Sequence, residues 1–236
     1  MIRREFAMGI NKPFFVFNPK SYLFGEELLD LALVADDVAK EYPDVQVFVT
    51  APYADLLNIH GHTSHITVTA QHIDGLRPGR GIGHVLPESV YAAGARATFL
   101  NHAEKPLTLN ELVHSIKRAK ELGIQTIVCA DSLEEARAIA MLEPDCILCE
   151  PIELIGTGET SGEEYIKTTN EAIKSIDHQI AVMQAAGISS ADDVYETILL
   201  GADGTGCTSG IVKAKDPKQM LKDMVKAVSL AASKRK

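Results

Sequence analysis

The stretch DCILCE (145–150) is apolar almost to its end, closes on Glu150, and is followed at once by Pro151. A carboxylate that ends a buried strand and is stiffened by proline is a candidate for proton transfer. Other apolar stretches close on polar groups in the same way. FFVFN (14–18) runs into Asn18-Pro19-Lys20, HITVTA (65–70) into Gln71-His72, and RATFLN (96–101) into Asn101-His102-Ala103-Glu104. QIAVMQ (179–184) leads to Ala185-Ala186-Gly187-Ile188-Ser189, and DGTGCT (203–208) to Thr208-Ser209-Gly210. Their chemistries are complementary. Glu150 can take a proton from carbon, His102 can polarise a carbonyl, and Lys20 offers a fixed positive charge. The two Gly/Ser turns, at Gly187 and at Thr208-Ser209, can hold a phosphate through backbone N–H groups. Together they form a kit for moving a proton next to a carbonyl in a phosphorylated substrate. Each residue also has a plain reading: a solvated lysine, a structural histidine, an exposed acid at Glu104. Their joint placement at the ends of separate strands favours the functional one.

To bring those ends together, the chain must place its strands side by side. Eight strand-like stretches alternate with helical ones: the six above together with VQVFVT (45–50) and QTIVCA (125–130). Several are continuously apolar and rich in Val and Ile, the pattern of parallel strands buried on both faces. Between them, Leu109, Leu112, Val113, Ile116 and Ala119 repeat at helical spacing and predict one apolar face. Capping boxes are expected at Thr108-x-x-Glu111, Ser132-x-x-Glu135 and Ser161-x-x-Glu164, with Gly123 ending the helix that Thr108 starts. Eight βα units with no linker between them predict a single-domain (β/α)8 barrel over 1–236, with its site at the C-terminal ends of the strands. An open doubly wound sheet is the alternative, but NPKSYLFG after the first strand is not a glycine-rich dinucleotide loop. The last strand is the weakest, and Gly206 is expected to loosen or widen the barrel floor.

Composition narrows the partners. Of 236 residues, 46% are hydrophobic and 23% charged, which suits a folded core. A net charge of −9 disfavours nucleic acid and anionic membranes, so an anionic substrate needs a local pocket of N–H dipoles and a cation. No apolar run reaches the ~18 residues of a membrane span, and MIRREFAMGINK does not read as a signal peptide. Cys146 and Cys149 have C-x-x-C spacing, but residues three apart on a strand face opposite ways. Four reduced, buried cysteines in a cytoplasmic protein is the reading adopted. His60, His62 and His65 are placed in a solvated loop before the third strand, and no metal site is expected. Acid–base groups suffice for the chemistry, so no cofactor is expected.

The segments EPIELIGTG (150–158), NHAE (101–104) and Asn18-x-Lys20 resemble triosephosphate isomerases, especially the shorter archaeal-type branch. GHVLPESVYAAGA (83–95), AGISSADDV (186–194) and SGIVKAKDP (209–217) extend the likeness along nearly the whole chain. The resemblance implies interconversion of dihydroxyacetone phosphate and D-glyceraldehyde 3-phosphate. Glu150 would shuttle the proton, neutral His102 would serve the carbonyl and enediolate oxygens, and Lys20 and Asn18 would supply charge and a hydrogen bond. Glu104 would stand beside Lys20. The N–H groups of Gly156, Gly187, Thr208 and Ser209 would grip the phosphate. Residues 151–160 would close as a lid, rooted at Pro151, with Ile152, Leu154 and Ile155 excluding water and Glu153 facing solvent. The family's assemblies imply a homodimer or homotetramer, with residues 71–84 as the contact loop. The chain departs from the family pattern at Pro19, Ala103, Ile82 (where a threonine reaches the partner), Ala185 and Gly206. These departures leave a four-carbon ketose phosphate as an alternative substrate, and a sugar-phosphate-binding barrel without turnover as an alternative function.

Overall fold

The structure, a computed structural model, describes residues 9–11, 13–151 and 162–235. Eight parallel strands follow one another around a closed barrel: β1 (Phe14–Phe17), β2 (Gln46–Ala51), β3 (Thr67–Ala70), β4 (Ala97–Leu100), β5 (Gln125–Ala130), β6 (Cys146–Cys149), β7 (Ala181–Gln184) and β8 (Gly204–Cys207). β8 pairs back onto β1, Phe14 opposite Gly204 and Val16 opposite Gly206, which closes the ring. The helices are α1 (Gly25–Glu41), α2 (Leu56–His62), α3 (Pro87–Ala92), α4 (Leu109–Leu122), α5 (Leu133–Ala140), α6 (Glu163–Ile176), α7 (Ala191–Leu199), the single turn α8 (Ser209–Val212) and α9 (Pro217–Lys234). The barrel architecture expected from the alternating pattern is the one found. Most ladders are one or two residues shorter than the sequence stretches. Asn18, Asn101 and Glu150 lie just past them, at the barrel mouth.

Strand alternation divides the core in two. Phe14, Val16, Phe99, Cys146, Leu148 and Met183 fill the barrel interior. Phe15, Phe17, Leu100, Ile147, Cys149 and Val182 pack outward with the helices. Cys146 and Cys149 therefore do face opposite ways, and all four cysteines are free and buried. Gly206 does not widen the floor. A Cβ there would lie 2.6 Å from both the Met183 methyl and the Val16 carbonyl, and one on Gly204 would lie 2.4 Å from the Phe14 ring. Neighbouring side chains occupy the space these glycines leave, so β8 lacks large residues because β1 and β7 supply them.

The helix signals hold in part. Thr108 and Glu111 form the expected capping box, and Gly123 ends α4 in the left-handed conformation at φ 72°. Ser132 caps α5 through the N–H of Glu135, but the reciprocal half is absent because the Glu135 carboxylate is engaged elsewhere. α6 begins from Gly162, with no side-chain cap; Ser161 lies outside the described residues. A further box, Ser190 with Asp193, starts α7 and uses aspartate in place of the glutamate sought in the sequence. The apolar stripe of α4 is narrower than expected: Leu112, Ile116 and Ala119 are buried, whereas Leu109 and Val113 are exposed. The buried face turns instead toward Arg118, whose guanidinium pairs with Glu88 and Glu121 and donates to the Leu76 carbonyl. His60 and His62 belong to α2, not to a loop, and His65 sits beyond it with Nδ1 3.0 Å from Asp36. No helix among the described residues is long and apolar enough to cross a membrane.

Candidate active site

The C-terminal ends of β1, β4, β6, β7 and β8 surround a cavity of about 360 Å³. Asn18, Lys20, His102, Glu104, Glu150, Gly187, Thr208 and Ser209 all line it. The remaining predicted contact, Gly156, lies outside the described residues, as do Ile152, Glu153, Leu154, Ile155 and most of the expected lid.

Lys20 is held by its backbone. It adopts φ 51°, a left-handed conformation unusual for a residue with a side chain. The Asn18 side-chain oxygen accepts its N–H at 3.0 Å, and its carbonyl accepts the Gln71 amide at 2.9 Å. Pro19 fits this turn. Its own carbonyl accepts the N–H of Tyr22 at 3.0 Å, so the proline stiffens the approach to Lys20 without breaking it. From there the Lys20 ammonium reaches the Glu104 carboxylate at 2.6 Å. The hydrogen bond and charge of Lys20 hold the Glu104 carboxyl below the usual glutamate range, against the opposing effect of burial.

His102 follows β4. Its Nδ1 accepts the backbone N–H of Glu104 at 3.1 Å. A nitrogen that accepts carries no proton, so the ring keeps its hydrogen on Nε2. Burial, and then the charge of Lys20, push the His102 pKa below its ordinary value; Glu104 opposes them. Glu150 is displaced the other way. Burial pushes its carboxyl above the usual glutamate range and Glu104 adds to this, while Lys20 pulls it back. A carboxylate made more basic and an imidazole kept neutral therefore share one cavity. This arrangement can remove a proton from carbon at one side and donate a hydrogen bond to a carbonyl oxygen at another.

The far wall is built from the loops after β7 and β8. Gly187 takes φ 70°. Thr208 donates from its hydroxyl to the Asn18 carbonyl at 2.6 Å, tying the β8 end to the β1 end. Gly210 permits the two loops to meet, since a Cβ there would lie 2.8 Å from the Ser189 backbone and 2.8 Å from the Cys207 sulfur. In the sequence Gly210 stood out only as part of the turn after β8, with no role of its own, and Lys213, which lines the cavity, was not singled out. The signal for Lys213 was its spacing: four residues after Ser209, one helical turn on, with its N–H donating to the Ser209 carbonyl at 2.9 Å. In an acidic chain, two lysines, Lys20 and Lys213, thus line this one cavity.

The model of the triosephosphate isomerase family matches residues 13–228. The chain is 40% identical to the triosephosphate isomerase of Methanobacterium bryantii, over 92% of this chain and 97% of that one. It is 35% identical to that of Sulfolobus acidocaldarius, over 94% and 98%, and 36% identical to that of Methanocaldococcus jannaschii, over 90% and 99%.

Proposed function

We propose, since this chain belongs to the triosephosphate isomerase family, that it interconverts dihydroxyacetone phosphate and D-glyceraldehyde 3-phosphate through an enediolate. Glu150 takes the proton from one carbon and returns it to the neighbour. His102, neutral and with Nε2–H available, polarises the carbonyl and then serves the enediolate oxygens. Lys20 stabilises the developing negative charge, and Asn18 holds Lys20 in place. The N–H groups at Gly187, Thr208 and Ser209 receive the phosphate, joined by Gly156 when residues 151–160 cover the site. Such a cover excludes water and keeps the carboxylate a strong base.

One observation carries this reading: burial moves Glu150 and His102 in opposite directions around a single cavity that also holds Lys20. The filled space beside Gly206 removes the reason to expect a roomier site, which supports the triose over a four-carbon ketose phosphate. Steady-state turnover of triose and tetrose phosphates by the purified protein tests it. Rapid triose turnover is expected. Turnover of the tetrose alone, or binding of both without turnover, overturns the assignment.

The same reading includes a homo-oligomer, dimer or tetramer. Ile82 projects fully into solvent from a loop with Gly79, Gly81 and Gly83 at positive φ. A hollow of about 520 Å³ opens between this loop and Lys20, Gln71 and His102. A second copy of the chain would cover both the apolar side chain and the hollow.

A further inference from the structure

We infer that Glu135, on a helix that does not line the cavity, is a positioning residue for His102 and acts through Asn101. This rests on the isomerase reading for its kinetic consequence, though not for its structural one.

Asn101 directly precedes His102 and adopts φ 57°. Asparagine enters that left-handed region more readily than most residues with a side chain, and tertiary contacts can hold it there. Here three segments do so. The Asn101 amide donates to the Cys129 carbonyl at the end of β5, at 3.1 Å, and to Glu135 Oε1 on α5, at 3.0 Å. Its side-chain oxygen accepts the N–H of Leu107 at 3.0 Å. The last bond closes a loop that contains His102, Glu104 and Lys105. Inside it, the N–H of Lys105 donates to the His102 carbonyl at 2.7 Å. The loop therefore carries both the imidazole and the N–H that sets its tautomer, and Asn101 is its clasp.

Glu135 secures the clasp from outside. Its second oxygen accepts the N–H of Asp131 at 2.9 Å, so the carboxylate bridges the β5–α5 turn and the start of the His102 loop. This is why the capping box expected at Ser132 lacks its reciprocal half. A carboxylate at that position ordinarily bonds back to the cap's own N–H; this one is turned toward Asn101. Removing it frees one amide hydrogen of Asn101, loosens a left-handed residue and lets the His102 ring rotate away from the Glu104 N–H.

Two measurements test the inference. In the first, kcat for triose phosphate falls on the order of tenfold to a hundredfold in Glu135→Ala, with KM little changed, because misplacement of a catalytic group lowers the chemical step. Glu135→Gln keeps one acceptor and loses less, and it serves if Glu135→Ala does not fold. In an Asn101→Gly background, where glycine takes the left-handed backbone unaided, adding Glu135→Ala changes kcat by no more than about twofold. In the second, 15N-histidine spectra without substrate compare wild type with the Glu135 variants, the His102 signal being identified by its loss in His102→Gln. That signal is expected to shift or broaden in the variants. An unchanged signal, or a kcat loss of the same size with and without Asn101, overturns the inference. If wild type does not turn over triose phosphate, the isomerase reading fails alone, and the spectra still decide the role of Glu135.

Discussion

The Nδ1 atom of His102 accepts the backbone N–H of Glu104, two residues on, at 3.1 Å, while the Glu104 side chain turns to Lys20 at 2.6 Å. One residue therefore sets the tautomer of the imidazole through its backbone and partners the ammonium through its carboxylate. Protonation of His102 would set two hydrogens against each other along the first bond. The ring is thus neutral by geometry as well as by burial.

The first expectation follows from this. His102 stays uncharged as pH falls through 6.5, the ordinary histidine value, because its pKa is lowered by burial and by Lys20. 15N shifts of the labelled ring, followed between pH 8 and about 5, report the transition directly. A His102 that protonates at or above its ordinary value would contradict the proposed electrophile.

Glu150 yields the second. Glu150→Gln should lower kcat by about two to four orders of magnitude, the usual scale for losing a general base, with the circular dichroism of the fold unchanged. Residual activity near wild type removes Glu150 from the mechanism.

The same variant makes a stability prediction of opposite sign. The folded pKa of Glu150 is raised above its ordinary value, chiefly by burial. Its neutral form is then favoured in the fold, and stability falls as pH rises from the unfolded pKa of about 4.5 through the folded one. Glu150→Gln escapes that loss. Its Tm should exceed wild type at pH 7 to 8, and the difference should vanish below about pH 4.5, as thermal scans across pH will show. Each 1 kcal/mol recovered corresponds to about 2–4 °C for a chain of this size.

Gly210 is where the loops of β7 and β8 touch. A methyl at Gly210 meets backbone atoms of Ser189 at 2.8 Å, and backbone cannot swing aside as a side-chain tip can. Gly210→Ala should therefore cost about 1–3 kcal/mol, as overpacking does, and raise KM for the phosphorylated substrate. Gly204→Ala crowds the Phe14 ring deep in the barrel. It should cost similar stability with little change in KM. Equal KM effects from both would mean that the loop contact at Gly210 does not shape the proposed phosphate wall.

Ile82 tests self-association. In the proposed oligomer a second copy would take the exposed Ile82 side chain out of water. Ile82→Asp should shift sedimentation toward the monomer. A wild-type protein that sediments as an active monomer overturns the oligomer proposal.

The sequence by itself determined the barrel and which polar groups stand at the ends of its strands. Alternating apolar stretches and helix caps are local signals, and eight of them in series leave few ways to bury both faces of each strand. Glu150 before Pro151, and His102 and Lys20 just past β4 and β1, were legible because a polar residue that ends an apolar run stands out in one dimension. What only the tertiary structure decided are relations between residues on different strands. Gly204 and Gly206 looked like weaknesses until Phe14, Val16 and Met183 were found filling their space. Leu109 and Val113 fit the helical period of α4, yet the core met the helix on the side of Leu112 and Ile116. Asn101 and Glu135, 34 residues apart, carry no shared pattern along the chain. Barrel closure sets the β4 and β5 loops side by side, and only then does a carboxylate on one become the partner of an amide on the other.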